Sequence, residues 1–179
     1  TGVDKDPAMR LFLQESERPA PHFDTRRGRW LGVPSWPSKS IKEDIYFFNG
    51  NRLSATQNET TFNAQLTVSS PQTTGVYGGE WCGYGLGKVA PELPLDQRED
   101  DSGSLVFDGD PLLNPINIVG EGRVRLYVSS DVPQALIAVR LNNIHPDGAV
   151  ERISYGVLNL SHRESDEHPD TLTPNKFYE

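Results

Sequence analysis

The clearest alternation of apolar and polar residues lies in the last third of the chain. In residues 123–128 every second position is apolar, which predicts a strand with one buried face. Residues 137–142 repeat the pattern and place Ile137, Val139 and Leu141 on one face. The sequence therefore predicts two strands in close succession.

A tight turn follows the second of these strands. Pro146-Asp147-Gly148 combines a preset φ, a side chain that can bond its own backbone and a residue that tolerates positive φ. Residues 150–158 alternate again, and this pattern predicts that Ile153, Tyr155 and Val157 share one side. The segment therefore predicts a β-hairpin.

Shorter strands are predicted at 9–13, 45–48 and 105–107, and at 61–68, where Phe62, Ala64, Leu66 and Val68 alternate with polar residues. The 16 glycines and 14 prolines leave little room for helices of ordinary length. These features favour an all-β fold, either a sandwich or a jelly roll.

Several segments resemble one family in the same order along the chain. Residues 124–133 resemble a strand and turn in the C-terminal domain of the Xaa-Pro dipeptidyl-peptidase and cocaine-esterase (CocE/NonD) family of serine hydrolases. Residues 146–148 and 155–159 resemble the hairpin of the same domain. Further agreement lies at 10–14, 28–30, 35–37, 96–101, 105–107, 168–169 and 172–174. The resemblance implies a galactose-binding-like jelly roll that lacks its last strands.

The resemblance also implies where the chemistry lies. The Ser, Asp and His of the family's triad belong to an upstream α/β-hydrolase domain of the same polypeptide, so no residue of this chain inherits a catalytic role. This chain also has no Gly-Xaa-Ser-Xaa-Gly sequence, so the strained turn that exposes a hydrolase serine is missing. We expect no cofactor.

Length and charge narrow the remaining possibilities. A chain of 179 residues suits a single domain, residues 1–179, and the net charge of −8 argues against nucleic acid as a partner. No apolar stretch is long enough to cross a membrane. The single Cys82 fits a reducing compartment, so we expect a cytoplasmic protein, while export of a longer parent stays open.

Other residues with chemical potential have ordinary explanations that we prefer. Cys82 has no histidine near it in sequence, and His145 precedes a turn where an imidazole is common. His162 and His168 lie in an acidic stretch without the spacing of metal ligands. For residues 96–101 we expect a loop whose arginine pairs internally rather than a cation site.

The best candidate site is the loop of residues 75–87, which is rich in glycine and aromatic residues. Large amphipathic rings on a permissive backbone can approach another surface closely. The resemblance implies that this loop faces the hydrolase domain, and the alternative is that its rings cover the mouth of the sandwich. The candidate interface or ligand residues are Tyr77, Gly78, Gly79, Trp81 and Tyr84.

The sequence therefore predicts a non-catalytic β-sandwich domain of a serine hydrolase that cleaves an ester or peptide bond. Its role would be to shape the active-site cleft and to stabilise the assembly. Two alternatives stay open, a carbohydrate-binding jelly roll and a domain for oligomer assembly. We also expect a homo-oligomer formed through an open sheet edge, because the missing strands would leave backbone groups unpaired.

Overall fold

The computed structural model describes residues 2, 5–58, 65–80, 82, 84–86, 88–90 and 92–179. It confirms the all-β prediction, since strands dominate the regular structure of these residues. One short helix, α1 (Arg98–Asp101), and 3₁₀ turns at Val76–Gly78 and Leu160–His162 accompany them. The strands are β1 (Met9–Gln14), β2 (Gly28–Val33), β3 (Phe47–Asn49), β4 (Arg52–Ser54), β5 (Leu136–Ile144) and β6 (Val150–Asn159).

The strands pair antiparallel in three two-stranded sheets, β1 with β2, β3 with β4 and β5 with β6. The predicted strand 9–13 is confirmed and extends to Gln14, whereas the strand predicted at 45–48 begins only at Phe47. Phe12 and Trp30 face each other across β1 and β2, with ring centroids 5.3 Å apart. No larger sheet joins the three pairs within the described residues, so the jelly-roll arrangement stays a prediction.

The β5–β6 hairpin confirms the prediction made for residues 137–158. Gly148 takes a left-handed φ of 87°, and its N–H donates to the carbonyl of His145 at 2.8 Å. Glycine adopts this φ without the steric cost that a Cβ would impose. The turn residues therefore fix the register of the longest strand pair in the described chain.

A β-bulge interrupts this hairpin and changes which residues share a face. Leu141 pairs with Ser154 while Asn142 pairs with Arg152, so Ile153 is an extra residue in β6. The bulge breaks the strict alternation that the sequence suggested for Ile153, Tyr155 and Val157. All three side chains are also exposed rather than buried.

Two other strand predictions are wrong, because neither segment has a neighbouring strand to pair with. Residues 123–128 form no strand, and only Val128 makes a bridge, with Tyr178, through two backbone hydrogen bonds of 2.8 Å. Residues 105–107 also lie outside strands, although Asp108 bridges to Arg52. Alternation defines a face, but a strand needs a neighbour to accept its backbone hydrogen bonds.

The strand predicted at 61–68 falls partly on Phe62 and Ala64, which lie outside the described residues. Its remaining part, residues 65–68, is in no strand, and Leu66 and Val68 are about half exposed. The alternation therefore does not identify a strand in the part that the structure describes.

The buried core is small and lies where the β5–β6 hairpin meets the segments beside it. Its apolar members are Ala149, Val150, Leu160 and Leu172. The accessible surface is 14287 Å², compared with roughly 8,700 Å² for a compact monomer of this mass. The chain thus leaves much apolar surface uncovered, especially on its strands and its loops.

Candidate interaction site around the glycine-rich loop

A fully buried glutamine connects the glycine-rich loop to the hairpin. Gln97 has no exposed surface, and its backbone N–H donates to the carbonyl of Val150 in β6 at 3.0 Å. Its Nε2 donates to the carbonyls of Tyr77 and Leu95 at 2.9 and 2.8 Å. Because each polar group of a buried amide needs a partner, these bonds fix the loop backbone firmly.

Arg140 of β5 completes the bonding of Gln97. Its Nη1 donates to Gln97 Oε1 at 3.1 Å, and its Nη2 donates to Asp101 Oδ1 and Ser104 Oγ, each at 2.9 Å. The guanidinium therefore bonds three side chains of the segment that contains α1. It holds that segment against one face of the hairpin.

Two carboxylates of α1 surround this arginine. Asp100 is 3% exposed, and its Oδ1 accepts the backbone N–H of Gly75 at 2.7 Å. Burial raises the pKa of the Asp101 carboxyl, and the nearby Arg140 offsets only part of this effect. The free energy lost by removing this carboxylate from water exceeds the free energy gained from its ion pair with Arg140.

Asp96 and Arg98 form the internal ion pair that the sequence predicted for residues 96–101. Nη2 of Arg98 lies 2.7 Å from Asp96 Oδ2, and Asp96 Oδ1 also accepts the N–H of Val150 at 3.3 Å. The hydrogen bond from Arg98 lowers the pKa of Asp96, and burial opposes that shift. Asp96 thus adds a second connection between this segment and the start of β6.

The first half of the candidate loop is a tightly held turn. The carbonyl of Tyr77 accepts hydrogen bonds from the Gln97 side chain and from the N–H of Leu95, the latter at 3.0 Å. Gly79 has a φ of 76°, and a Cβ there would lie 2.7 Å from the carbonyl oxygen of Glu92. Glycine is therefore required at position 79 both by its backbone angle and by this close approach.

The second half of the loop projects into solvent. Tyr84 is 83% exposed, and only its backbone is held, by a hydrogen bond from its N–H to Glu92 Oε1 at 2.6 Å. Tyr77 is 37% exposed, whereas Gly78 is half-buried. Trp81 lies outside the described residues. The loop therefore presents at least one large aromatic ring to solvent.

Of the other residues with chemical potential, Cys82 lies in this same loop and the histidines lie outside it. Cys82 is exposed, and His162 Nδ1 lies 3.3 Å from Asp166. His145 Nε2 lies 3.4 Å from Glu151 Oε2, and that oxygen also accepts the hydroxyl of Ser16 at 2.5 Å. Across the described residues, no cluster of His, Cys, Asp and Glu could hold a metal ion.

Sequence reasoning missed the two residues that organise this site. Gln97 stands in an acidic run, which suggests a solvated loop, and nothing in that run marks it as buried. A better signal existed for Arg140, since a lone arginine in the middle of an apolar strand suggests a buried partner.

Comparison with known proteins identifies the class of this domain. The model of the X-Pro dipeptidyl-peptidase C-terminal non-catalytic domain matches residues 1–179. Since the match covers the whole chain, the chain belongs to this family, as the resemblance of its motifs predicted. The family's description states that the domain is non-catalytic, which agrees with the missing nucleophile sequence.

Individual relatives are distant and are named as esterases. The chain is 23% identical over 187 residues to a cocaine esterase of Rhodococcus sp., covering 97% of this chain and 30% of that protein. It is 24% identical over 155 residues to proteins of Mycobacterium bovis and Mycobacterium tuberculosis named "putative serine esterase", covering 86% of this chain and 24% of each.

The chain thus spans between about a quarter and a third of the length of the curated relatives it matches. No solved structure matches it significantly. Among the described residues, no helix is both long and apolar enough to cross a membrane.

Proposed function

We propose that this chain is the C-terminal β-domain of a larger serine hydrolase that cleaves an ester or peptide bond. The acyl transfer takes place in a separate α/β-hydrolase domain, through a seryl intermediate, a histidine base and an oxyanion hole. Residues 1–179 act as one domain that covers one side of the active-site cleft and stabilises the assembly. Membership of a non-catalytic domain family and the names of the esterase relatives support this proposal.

One structural observation carries the proposed interface. The loop backbone is fastened to buried Gln97 at Tyr77, while the ring of Tyr84 is almost fully exposed. A rigid backbone that presents an aromatic side chain suits contact with another protein surface, because little entropy is lost on binding. The large uncovered apolar surface of the chain supports the same role.

The full reading frame that encodes this chain provides the first test. We expect it to contain an α/β-hydrolase domain before residue 1, and we expect the purified full-length protein to hydrolyse nitrophenyl butyrate or Ala-Pro-nitroanilide. A reading frame without a hydrolase domain would refute the proposal. Which of the two substrates is cleaved would also decide between an esterase and a peptidase.

Variants of the full-length protein test the contribution of the loop. Tyr84→Ala should lower kcat/KM by about tenfold if the ring lines the cleft or orders it, which is the size expected for one well-placed aromatic contact. Tyr46→Ala is the matched control, because Tyr46 is 47% exposed and lies far from the loop in sequence. Equal activity of both variants would refute the proposal that the loop contributes to the active-site cleft.

Carbohydrate binding is the second candidate, and one observation favours it. Trp30 is 70% exposed, and its ring is tilted by 58° to that of Phe12, so the indole offers an exposed aromatic surface of the kind on which sugars stack. A glycan array should then show binding that is lost in Trp30→Ala and retained in Tyr84→Ala. Absence of binding to any glycan would exclude this candidate.

A further inference from the structure

Arg152 stands out among the half-buried arginines of the described chain. Arg140 and Arg163 each have a carboxylate oxygen nearby, at 2.9 Å on Asp101 and 3.3 Å on Asp170. Arg26 donates instead to the side-chain carbonyl of Gln14 at 3.0 Å. Within the described residues, Arg152 has neither an ion-pair partner nor a hydrogen-bond acceptor. Its five N–H donors are therefore available.

The β-bulge in β6 determines where this guanidinium lies. In a regular strand, residues 152 and 155 would point to opposite faces. The extra residue Ile153 brings Arg152 and Tyr155 to the same face, where the Arg152 Cζ lies 4.3 Å from the ring centroid. One flat side of the guanidinium is thus covered by the ring, and its N–H edge remains for a ligand.

The glycine-rich loop forms the wall beside that edge. A Cβ placed at Gly78 would lie 3.3 Å from Nη1 of Arg152, so the absence of a side chain at position 78 leaves room there. The backbone of the turn is fixed at this distance, because the adjacent carbonyl of Tyr77 accepts hydrogen bonds from Gln97 and Leu95. The wall beside the donors of Arg152 is therefore fixed before any ligand arrives.

Nearby charges do not neutralise Arg152 by contact. The carboxylates of Asp100 and Asp101 interact mainly with Arg140, although Asp100 attracts Arg152 over a longer distance. Arg152 is half-buried, so part of its hydration is lost, and this burial lowers the pKa of its guanidinium. A partly desolvated cation without a contacting acceptor favours an anion that can accept two parallel N–H bonds.

We propose that Arg152, with Tyr155 and Gly78, forms a binding site for a carboxylate group. A carboxylate matches the planar fork of the guanidinium, whereas a neutral acceptor would leave its charge uncompensated. The carboxylate comes either from a free ligand or from an acidic side chain of another domain of the same protein. The free-ligand case does not depend on the proposed function.

Arginine side-chain NMR on the full-length protein tests the site directly, with sodium acetate as the probe. The Nε–Hε signal of Arg152 is assigned through its loss in Arg152→Lys, a change that retains the charge. We expect a saturable shift of this signal with acetate, and no such shift with sodium chloride at equal ionic strength. Acetate binding measured by calorimetry should weaken by about tenfold in Arg152→Lys, because lysine cannot bond in a bidentate manner.

Two control variants keep the test independent of folding. Arg123→Lys alters an exposed arginine that also lacks an ion-pair partner within the described residues, and it should leave acetate binding unchanged. Gly78→Ala should weaken acetate binding by narrowing the site. Gly122→Ala, at a position with no atom within 4 Å of an added Cβ, should not. Thermal melting of every variant verifies that it is folded.

The spectra also distinguish the two sources of the carboxylate. A saturable acetate response indicates a site open to free ligands. A slowly exchanging Arg152 Hε before acetate is added, with nuclear Overhauser contacts to the methylene of an Asp or Glu, indicates an acidic side chain already bound. A fast-exchanging Hε that responds equally to acetate and chloride would overturn the proposal. A reading frame without a hydrolase domain would refute the proposed function without affecting the acetate titration.

Discussion

Gln97 and Arg140 are joined by a hydrogen bond of 3.1 Å between two side chains 43 residues apart, and this bond connects the glycine-rich loop to the longest hairpin. Gln97 is the only fully buried large side chain in the part of the chain that the structure describes. The interior of this region is therefore organised by a polar network rather than by apolar packing alone. Such a network stabilises the fold only while every member keeps its partners.

The first prediction concerns this network. Gln97→Leu would leave the carbonyl of Leu95 and one N–H of Arg140 without these partners, and the carbonyl of Tyr77 would keep only its bond from the N–H of Leu95. Each buried group left unsatisfied costs about 1–3 kcal/mol, so we expect the free energy of unfolding to fall by about 3 kcal/mol or more. Urea titration followed by circular dichroism measures this change. Gln134→Leu is the control, because Gln134 is exposed and should change stability by less than about 0.5 kcal/mol.

Gly79 provides a second prediction, which separates backbone strain from close packing. Gly79→Ala and Gly85→Ala both place alanine at a positive φ, 76° and 81° respectively. Of these two positions, only Gly79 has backbone within 3 Å of an added Cβ. We expect a loss of about 1 kcal/mol for Gly85→Ala and of about 2–4 kcal/mol for Gly79→Ala. Equal losses would show that the packing of Glu92 against Gly79 contributes nothing.

The third prediction concerns acid stability. The bond from Arg98 lowers the pKa of Asp96 below 3.8, so in the folded state its carboxylate is favoured over the protonated form. Its contribution is complete above the unfolded pKa and is lost as pH falls through the lower folded pKa. Asp96→Asn should therefore be less stable than wild type at pH 7, and the difference should shrink towards pH 3.

The control for this comparison is Asp131→Asn, at an exposed aspartate that makes no side-chain hydrogen bond in the described chain. Its difference from wild type should be small and should vary little with pH. Burial raises the pKa of Asp101, so this group acts in the opposite sense and favours the folded state at low pH. A difference for Asp96→Asn that grows on acidification would contradict the assigned role of Asp96.

A fourth prediction is that residues 1–179, purified alone, do not hydrolyse nitrophenyl esters or Xaa-Pro nitroanilides above background. The nucleophile sequence is missing. In addition, Ser16 donates its hydroxyl to Glu151 Oε2 and not to an imidazole, although His145 Nε2 lies 3.4 Å from the same oxygen. A serine is activated by a base, and here the imidazole does not accept its proton. Turnover that persists after repurification and is abolished by a serine-directed phosphonate would refute this prediction.

The fifth prediction is that residues 1–179 associate with a second copy through the edges of β5 and β6. Both strands are long and have no third neighbour among the described residues, and open edges of this kind commonly pair. Sedimentation velocity should reveal a dimer that Val157→Lys weakens, since a charge opposes edge pairing. Val132→Lys, outside any strand, should leave the dimer intact. A well-folded monomer at all concentrations would contradict the prediction.

Local sequence patterns predicted the elements whose partners lie close along the chain. The β5–β6 hairpin followed from alternation on both sides of Pro146-Asp147-Gly148, because a short turn brings its own strands together. Met9–Gln14 was likewise predicted within one residue. Residues 123–128 had an equally clear pattern and did not form a strand, since alternation says nothing about which segment supplies the hydrogen-bonding neighbour.

The sequence by itself determined the all-β class, the family and the absence of a nucleophile elbow, since these depend on composition and on residues adjacent in the chain. The tertiary structure alone decided that Gln97 is buried, that Arg140 bonds the loop segment, and that Arg152 has no contacting acceptor among the described residues. The bulge at Ile153 illustrates the reason. One extra residue in a strand moves the residues that follow it to the opposite face of the sheet. The position of the extra residue depends on the register with the partner strand, and no local pattern encodes that register.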